Sequence, residues 1–297
     1  MTALLLFLFL LQLVPATAEA QKNQTKETSS LGRFLIAPHS LPDSVYRAQE
    51  KKIFLLAQFQ RKGPVLEGDP LLPTAYTSTG FVVGEYVVTA GHFIMDSVSM
   101  LKTHGLDFEL HDGIPEGVDY EYTIRGRIMA GSITMDFPLT LVAINVGSPR
   151  DILALKPEPS TLEFLLANSY IPNAEGRLVR NPLVILSDPH KLTDKVELNE
   201  QVFISGYSGD GQSDLIDFTF PGVIVAKIEK LAVNQGGVKR IFRVLGKVEP
   251  GFSGGPMFNS KGEVLGMNVS ASYMLNFVYA ISSEDIRNFL RDHKLAE

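Results

Sequence analysis

The sequence predicts an all-β protein built as two β-barrels and closed by a C-terminal helix. Three observations carry that prediction. From residue 53 onward, short runs rich in Val, Ile, Phe and Tyr follow one another, separated by Gly, Asn, Asp or Pro. A helix-start signal, Ser160-Thr161-Leu162-Glu163, divides those runs into two sets. At the far end, Ser282 or Ser283 with Glu284 and Asp285 behind it caps a helix expected to reach about residue 291.

The chain has 297 residues, of which 45% are hydrophobic and 20% charged, enough for one large or two smaller domains with a real core. Its net charge of -6 gives no electrostatic basis for binding nucleic acid or an anionic membrane. Cysteine is absent, which excludes thiol catalysis and a Cys-ligated metal.

Taken in order, residues 1–20 read as a signal peptide. An apolar run over 3–14 precedes Pro15 and the small-residue patterns Ala16-Thr17-Ala18 and Ala18-Glu19-Ala20, so cleavage is expected after Ala18 or Ala20. The run is about a dozen residues, whereas a membrane span needs about 20. The mature protein is therefore expected to be exported and free of the membrane. Residues 21–48, polar and then carrying two prolines, read as a flexible leader or propeptide.

The first barrel is expected over 49–158, with strands at 53–59, within 71–90, at 120–128, 139–146 and 151–155, and a short helical stretch over 93–101. Between them, His104, Asp107, His111, Asp112 and Glu116 form a loose group without metal-ligand spacing, so a solvated loop and no metal are expected. The helix starting near Ser160 occupies a linker, 159–174. A second barrel is expected over 175–281, with strands at 183–186, 201–207, 218–226, 241–247, 262–269 and 276–281, before the final helix within 282–297. Asn23 and Asn268 match the glycan-acceptor pattern.

The chemistry gathers at Gly251-Phe252-Ser253-Gly254-Gly255-Pro256. Flanking glycines let the backbone turn sharply and offer amide donors without steric cover, which suits a serine nucleophile, although Ser, Gly and Pro also make ordinary turns. Upstream, Glu85-Tyr86-Val87-Val88-Thr89-Ala90-Gly91-His92 is a strand ending on a histidine. Asp151-Ile152-Leu153-Ala154-Leu155-Lys156 is an acid running into an apolar strand. Asp136, in Met135-Asp136-Phe137-Pro138, is a rival acid. The order His92, Asp151, Ser253 is one of the known orders of a catalytic triad. In it the serine attacks a carbonyl, the histidine takes its proton, and the acid holds the histidine.

On the motifs T-A-G-H, D-I-L-A-L-K and G-x-S-G-G-P, the chain resembles the chymotrypsin/trypsin-like serine peptidases over roughly residues 50–290. It is closest in style to their cysteine-free bacterial HtrA-like and glutamyl-endopeptidase-like members, without a PDZ domain. The resemblance implies a chymotrypsin-like double barrel of six-stranded antiparallel type and an oxyanion hole from the N–H groups of Gly251 and Ser253. It also implies protein or peptide substrates and no cofactor. It leaves open a catalytically silent relative that binds peptides in the same groove. Phe252 stands where animal zymogens carry an aspartate that pairs with a newly cut N-terminus, so activation through such a pair is not expected. The resemblance also maps a substrate pocket onto Lys247, Val269, Ala271 and Phe277. With Phe277 filling it, the pocket is expected to be shallow and to prefer Ala, Val or Thr, and Lys247 in place of an acidic selector disfavours Arg and Lys.

Overall fold

The computed structural model describes residues 41–61, 76–94, 109–111, 114–116, 120–130, 133–145, 151–173, 175–208, 216–232 and 238–295. The signal-peptide reading, residues 21–40 of the leader and the side chains of the 104–116 His/Asp group lie outside them.

The first ordered element is a helix, α1 (Asp43–Gln49). This corrects the flexible leader, expected to extend to residue 48. Val45 and Ala48 fall on the inner face of α1 and are buried, so apolar contact holds these residues in place. Ser44 adds a hydrogen bond of 2.7 Å from its hydroxyl to the carbonyl of Ser260.

Eight strands follow: β1 (Lys52–Arg61), β2 (Tyr76–Val83), β3 (Tyr86–Thr89), β4 (Glu109–His111), β5 (Ile114–Glu116), β6 (Tyr120–Ala130), β7 (Ile133–Asn145) and β8 (Ile152–Pro157). Six of them close an antiparallel barrel in the order β1-β2-β3-β8-β7-β6, while β4 and β5 pair only with each other. Along β1, Ile53, Leu55 and Ala57 face the barrel interior, and Phe54 and Leu56 pack outward against Tyr207 of the second barrel. The strand is buried on both faces, which is why it reads as a continuous apolar run rather than an alternating one.

The linker holds α2 (Pro159–Ala167) and a small hairpin of β9 (Tyr170–Pro172) and β10 (Leu178–Arg180). The helix begins one residue before Ser160, with Glu158 as N-cap and no side-chain cap. Pro159 makes that start favourable, since its fixed φ suits the first helical position and its missing N–H has no partner to lose. The strand expected at 183–186 is instead a 3-10 helix, Pro182–Ser187. Asn181 accepts the N–H of Leu183 at 3.0 Å, and Leu183 and Leu186, three apart and so on one face, both pack into the first barrel's core.

The second barrel comprises β11 (Gln201–Ser208), β12 (Ile216–Ala232), β13 (Val238–Gly246), β14 (Pro256–Phe258), β15 (Val264–Ser272) and β16 (Phe277–Ser282), in the order β11-β12-β13-β16-β15-β14. Counted within each barrel, both run 1-2-3-6-5-4, an internal repeat of topology that has no counterpart as a sequence repeat. A third cluster joins the barrels, with Phe81 and Ile152 of the first against Phe203, Phe258 and Met267 of the second. The last helix, α3 (Ser283–Asp292), adds Ile286, Phe289 and Leu290 to that cluster. Burying each such side chain contributes roughly 1.5–3 kcal/mol. Ser282 caps α3, its hydroxyl accepting the N–H of Asp285 at 3.1 Å.

Candidate active site

Strand pairing brings the acid to the histidine. β3 and β8 run antiparallel with Thr89 opposite Leu153, so the residues just past the end of β3 meet those just before β8. There His92 donates its backbone N–H to Asp151 Oδ1 at 2.7 Å, and its Nδ1 lies 2.6 Å from Asp151 Oδ2. Both carboxylate oxygens are thus engaged by one residue, which fixes the ring's direction. Glycine at 91 leaves this contact room, since a Cβ there would stand only 3.0 Å from the Asn145 carbonyl and 3.1 Å from Asp151 Oδ1. The rival acid, Asp136, is held elsewhere: from mid-β7 it takes the Arg127 guanidinium at two points, 2.6 and 2.8 Å.

The serine arrives from the second barrel, on the loop between β13 and β14. Ser253 Oγ lies 2.5 Å from His92 Nε2, completing a line of three side chains across the seam between barrels. The first barrel grips this loop through buried polar groups of β2. Thr79 N–H and the Ser78 hydroxyl both donate to the Ser253 carbonyl, at 2.9 and 2.6 Å, and the Thr79 hydroxyl donates to the Gly251 carbonyl at 2.8 Å. Gly254 adopts φ +79°, and a Cβ there would overlap the Thr89 hydroxyl and the Thr79 carbonyl. The nucleophile loop can approach β2 this closely only with glycine at that position.

Gly251 adopts φ +97°. Between it and Ser253, the Phe252 N–H bonds to the Glu249 carbonyl at 3.2 Å, while no described residue accepts the N–H of Gly251 or Ser253. Those two donors are available to an oxygen outside the chain. The side chain of Phe252 points away from them into the second barrel, stacked on Phe220 at 5.7 Å and lying over Gly206.

A family model, the trypsin-like peptidase domain, matches residues 78–267, which contain all three of these side chains. The chain belongs to the trypsin-like peptidases. It is a serine peptidase by family, a hydrolase of peptide bonds. Among solved structures, the active form of the Rv3671c protease from M. tuberculosis aligns at a TM-score of 0.52 and 15% identity, covering 88% of this chain and 92% of that one. Deg5 aligns at a TM-score of 0.50 and 15% identity, covering 83% and 90%. At that identity the likeness is one of fold. No curated protein shows significant sequence similarity to this peptidase.

Beside Ser253 the peptidase has a cleft of about 100 Å³ whose lining includes Val248, Glu249, Gly251, Asn268, Ser270, Ala271 and Val278. Of the four residues mapped to a substrate pocket, only Ala271 lines it. Val269 faces the opposite way, into the cluster shared with α3. Lys247 and Phe277 belong to a neighbouring cleft of about 130 Å³. Phe277 lies under the Arg243 guanidinium at 5.3 Å, and the next residue, Val278, points into the second barrel. Successive strand residues face opposite sides, so an alignment out by one residue exchanges Phe277 for Val278. Phe277 is therefore placed in the neighbouring cleft and not in the one beside Ser253.

Sequence reasoning missed two sets of residues. Ser78, Thr79 and Thr89 were visible as polar residues within otherwise apolar strands, a pattern that asks for specific buried partners. Asn268, polar within the apolar start of β15, carried the same signal, although a bulge between Asn268 and Ser270 interrupts the alternation that would have marked its face, and Glu249 lies in a loop with no periodicity to read. Asn268 is buried, so it is no glycan acceptor. Among the described residues no group of His, Asp and Glu has the arrangement of a metal site.

Proposed function

We propose that the protein is an exported serine endopeptidase that hydrolyses peptide bonds through His92, Asp151 and Ser253. The observation that carries this reading is the 2.5 Å separation of Ser253 Oγ from His92 Nε2, with Nδ1 of the same ring 2.6 Å from Asp151. In the reaction, His92 takes the Ser253 proton as Oγ attacks the substrate carbonyl, and Asp151 stabilises the imidazolium that results. The oxygen that becomes negative is received by the N–H groups of Gly251 and Ser253, neither of which has an acceptor among the described residues. His92 then protonates the leaving amine, and a water molecule, activated by the same base, releases the acyl group from Ser253.

The substrates are proteins or peptides, and no cofactor takes part. Export rests on residues 1–20: an apolar run of about a dozen residues followed by small-residue cleavage patterns. No helix among the described residues is long and apolar enough to cross a membrane. Mass spectrometry of the protein recovered outside the cytoplasm tests export, with a mature N-terminus after Ala18 or Ala20 expected.

An organofluorophosphonate probe tests the chemistry, because it labels only an activated serine. Stoichiometric labelling that maps to Ser253 and is lost in Ser253→Ala is expected. A folded protein that takes up no label would leave the peptide-binding, catalytically silent reading in its place.

A further inference from the structure

The cleft beside Ser253 contains a polar side chain that the mapped pocket did not. Asn268 is 2% exposed, and its Oδ1 has no hydrogen-bond partner among the described residues. Its Nδ2 donates to the Ser205 carbonyl at 3.3 Å. That carbonyl can only accept, so turning the amide over would set two acceptors against each other, and the orientation with Oδ1 free is fixed by its neighbour. Met267 and Val269, on either side, pack into the cluster with α3. Asn268, which joins neither of them there, lines the cleft together with Ser253.

A buried acceptor left unpaired costs roughly 1–3 kcal/mol, which is why such groups are scarce and ask for a partner from outside the chain. In the proposed reaction, the acyl carbon bonded to Ser253 carries the side chain of the residue preceding the scissile bond on its next atom. That side chain must enter the cleft adjoining Ser253 and Gly251.

We infer that Asn268 is a specificity residue, its Oδ1 receiving a hydrogen bond from a short, neutral, donor-bearing side chain, a hydroxyl or a carboxamide, on the residue preceding the cleaved bond. Two further observations set the class. The cleft is small, about 100 Å³, which favours a short side chain over Arg or an aromatic ring. Glu249, the charged side chain of the lining, also presents acceptors and is held 2.8 Å from Lys247. Two acceptors facing one small space disfavour a carboxylate, so Gln should be taken over Glu and Thr over its isostere Val. This inference rests on the proposed reaction.

The experiment measures kcat/KM on peptides from an unbiased library that differ only by Thr against Val, and Gln against Glu, before the cleaved bond. Fluorophosphonate labelling of the same preparations serves as the side-chain-independent reference. Wild type should favour Thr and Gln by about tenfold or more, as a site built around a hydrogen bond rejects the analogue lacking it. Asn268→Leu should erase the Thr/Val gap, and Asn268→Asp, which keeps an acceptor, should retain it. Equal rates for Thr and Val in a wild type that labels at Ser253 would overturn the inference while leaving the reaction standing. So would an unchanged gap in Asn268→Leu. Absence of labelling in wild type overturns the reaction itself and this inference with it. Should Asn268→Leu fail to fold, the wild-type pairs and Asn268→Asp decide the matter.

Discussion

Thr79 of the first barrel and Gly251 of the second are joined by a 2.8 Å hydrogen bond from hydroxyl to carbonyl, and the Thr79 hydroxyl oxygen in turn accepts the Tyr207 N–H at 2.9 Å. One buried hydroxyl of β2 thus ties the serine loop to β11. Thr79→Val keeps the shape and removes both bonds, leaving polar groups unpaired at roughly 1–3 kcal/mol each. The variant should melt several degrees lower and label at Ser253 at least about tenfold more slowly, and Thr79→Ser should restore most of the rate. Thermal melts and labelling time courses check this.

In the proposed reaction Ser253, His92 and Asp151 act as one chain of proton and charge, so their losses should not add. Ser253→Ala and His92→Ala are each expected to lower kcat by several orders of magnitude, and the double variant by little more. A double-variant loss equal to the product of the two single losses would sink the assignment.

Lys52 is fully buried, its Nζ 2.5 Å from Asp217 Oδ1, whose side chain is 39% exposed. Burial lowers the Lys52 pKa, and the Asp217 carboxylate opposes that shift. The two ends of the pair should therefore respond unequally. Asp217→Ala strands a buried cation and should destabilise by up to about 3–5 kcal/mol, whereas Lys52→Met, replacing a buried charge by an apolar chain, should be near neutral. Denaturant titrations of both variants would reveal the asymmetry.

His190 is buried between Phe81 and Phe258, its ring nitrogens 3.1 Å from the Ala48 carbonyl and 3.3 Å from that of Val82. Burial, opposed by those carbonyls, lowers its pKa from 6.5 to about 4. Between these values the unfolded chain binds a proton that the folded chain does not. Stability should thus fall as pH drops through that window, by roughly 3 kcal/mol in total. Unfolding free energies from about pH 7 to about pH 4 should show this slope in wild type and lose most of it in His190→Gln.

Phe252 is buried in a stack of rings and offers no carboxylate to an incoming amine, and α1 is anchored by Val45 and Ala48. Forms starting at Gln21 and at Leu41 should label equally, with no dependence on one particular N-terminus. A form starting at Lys51 lacks α1 and should be markedly less stable. Comparing labelling rates and melting temperatures of the three forms tests both statements.

What the sequence by itself determined is whatever local chemistry encodes: the strand runs of the first barrel and of all but the short Pro256–Phe258 strand of the second, the Ser282 cap of the last helix, and three motifs whose residue types and order suit one reaction. Those signals lie within a few positions of one another, so pattern and propensity suffice to read them. Only the tertiary structure decided that Val278, and not Phe277, lines the cleft beside Ser253, and that Asn268, next to a bulge that interrupts the alternation of β15, lines it too. Only it decided that 183–186 coils into a 3-10 turn and that residues 43–49 form a helix, because both depend on apolar surfaces supplied from distant parts of the chain. The grip of Ser78 and Thr79 on the serine loop spans more than 170 residues, a pairing fixed by the closing of two barrels against each other and written in neither segment alone.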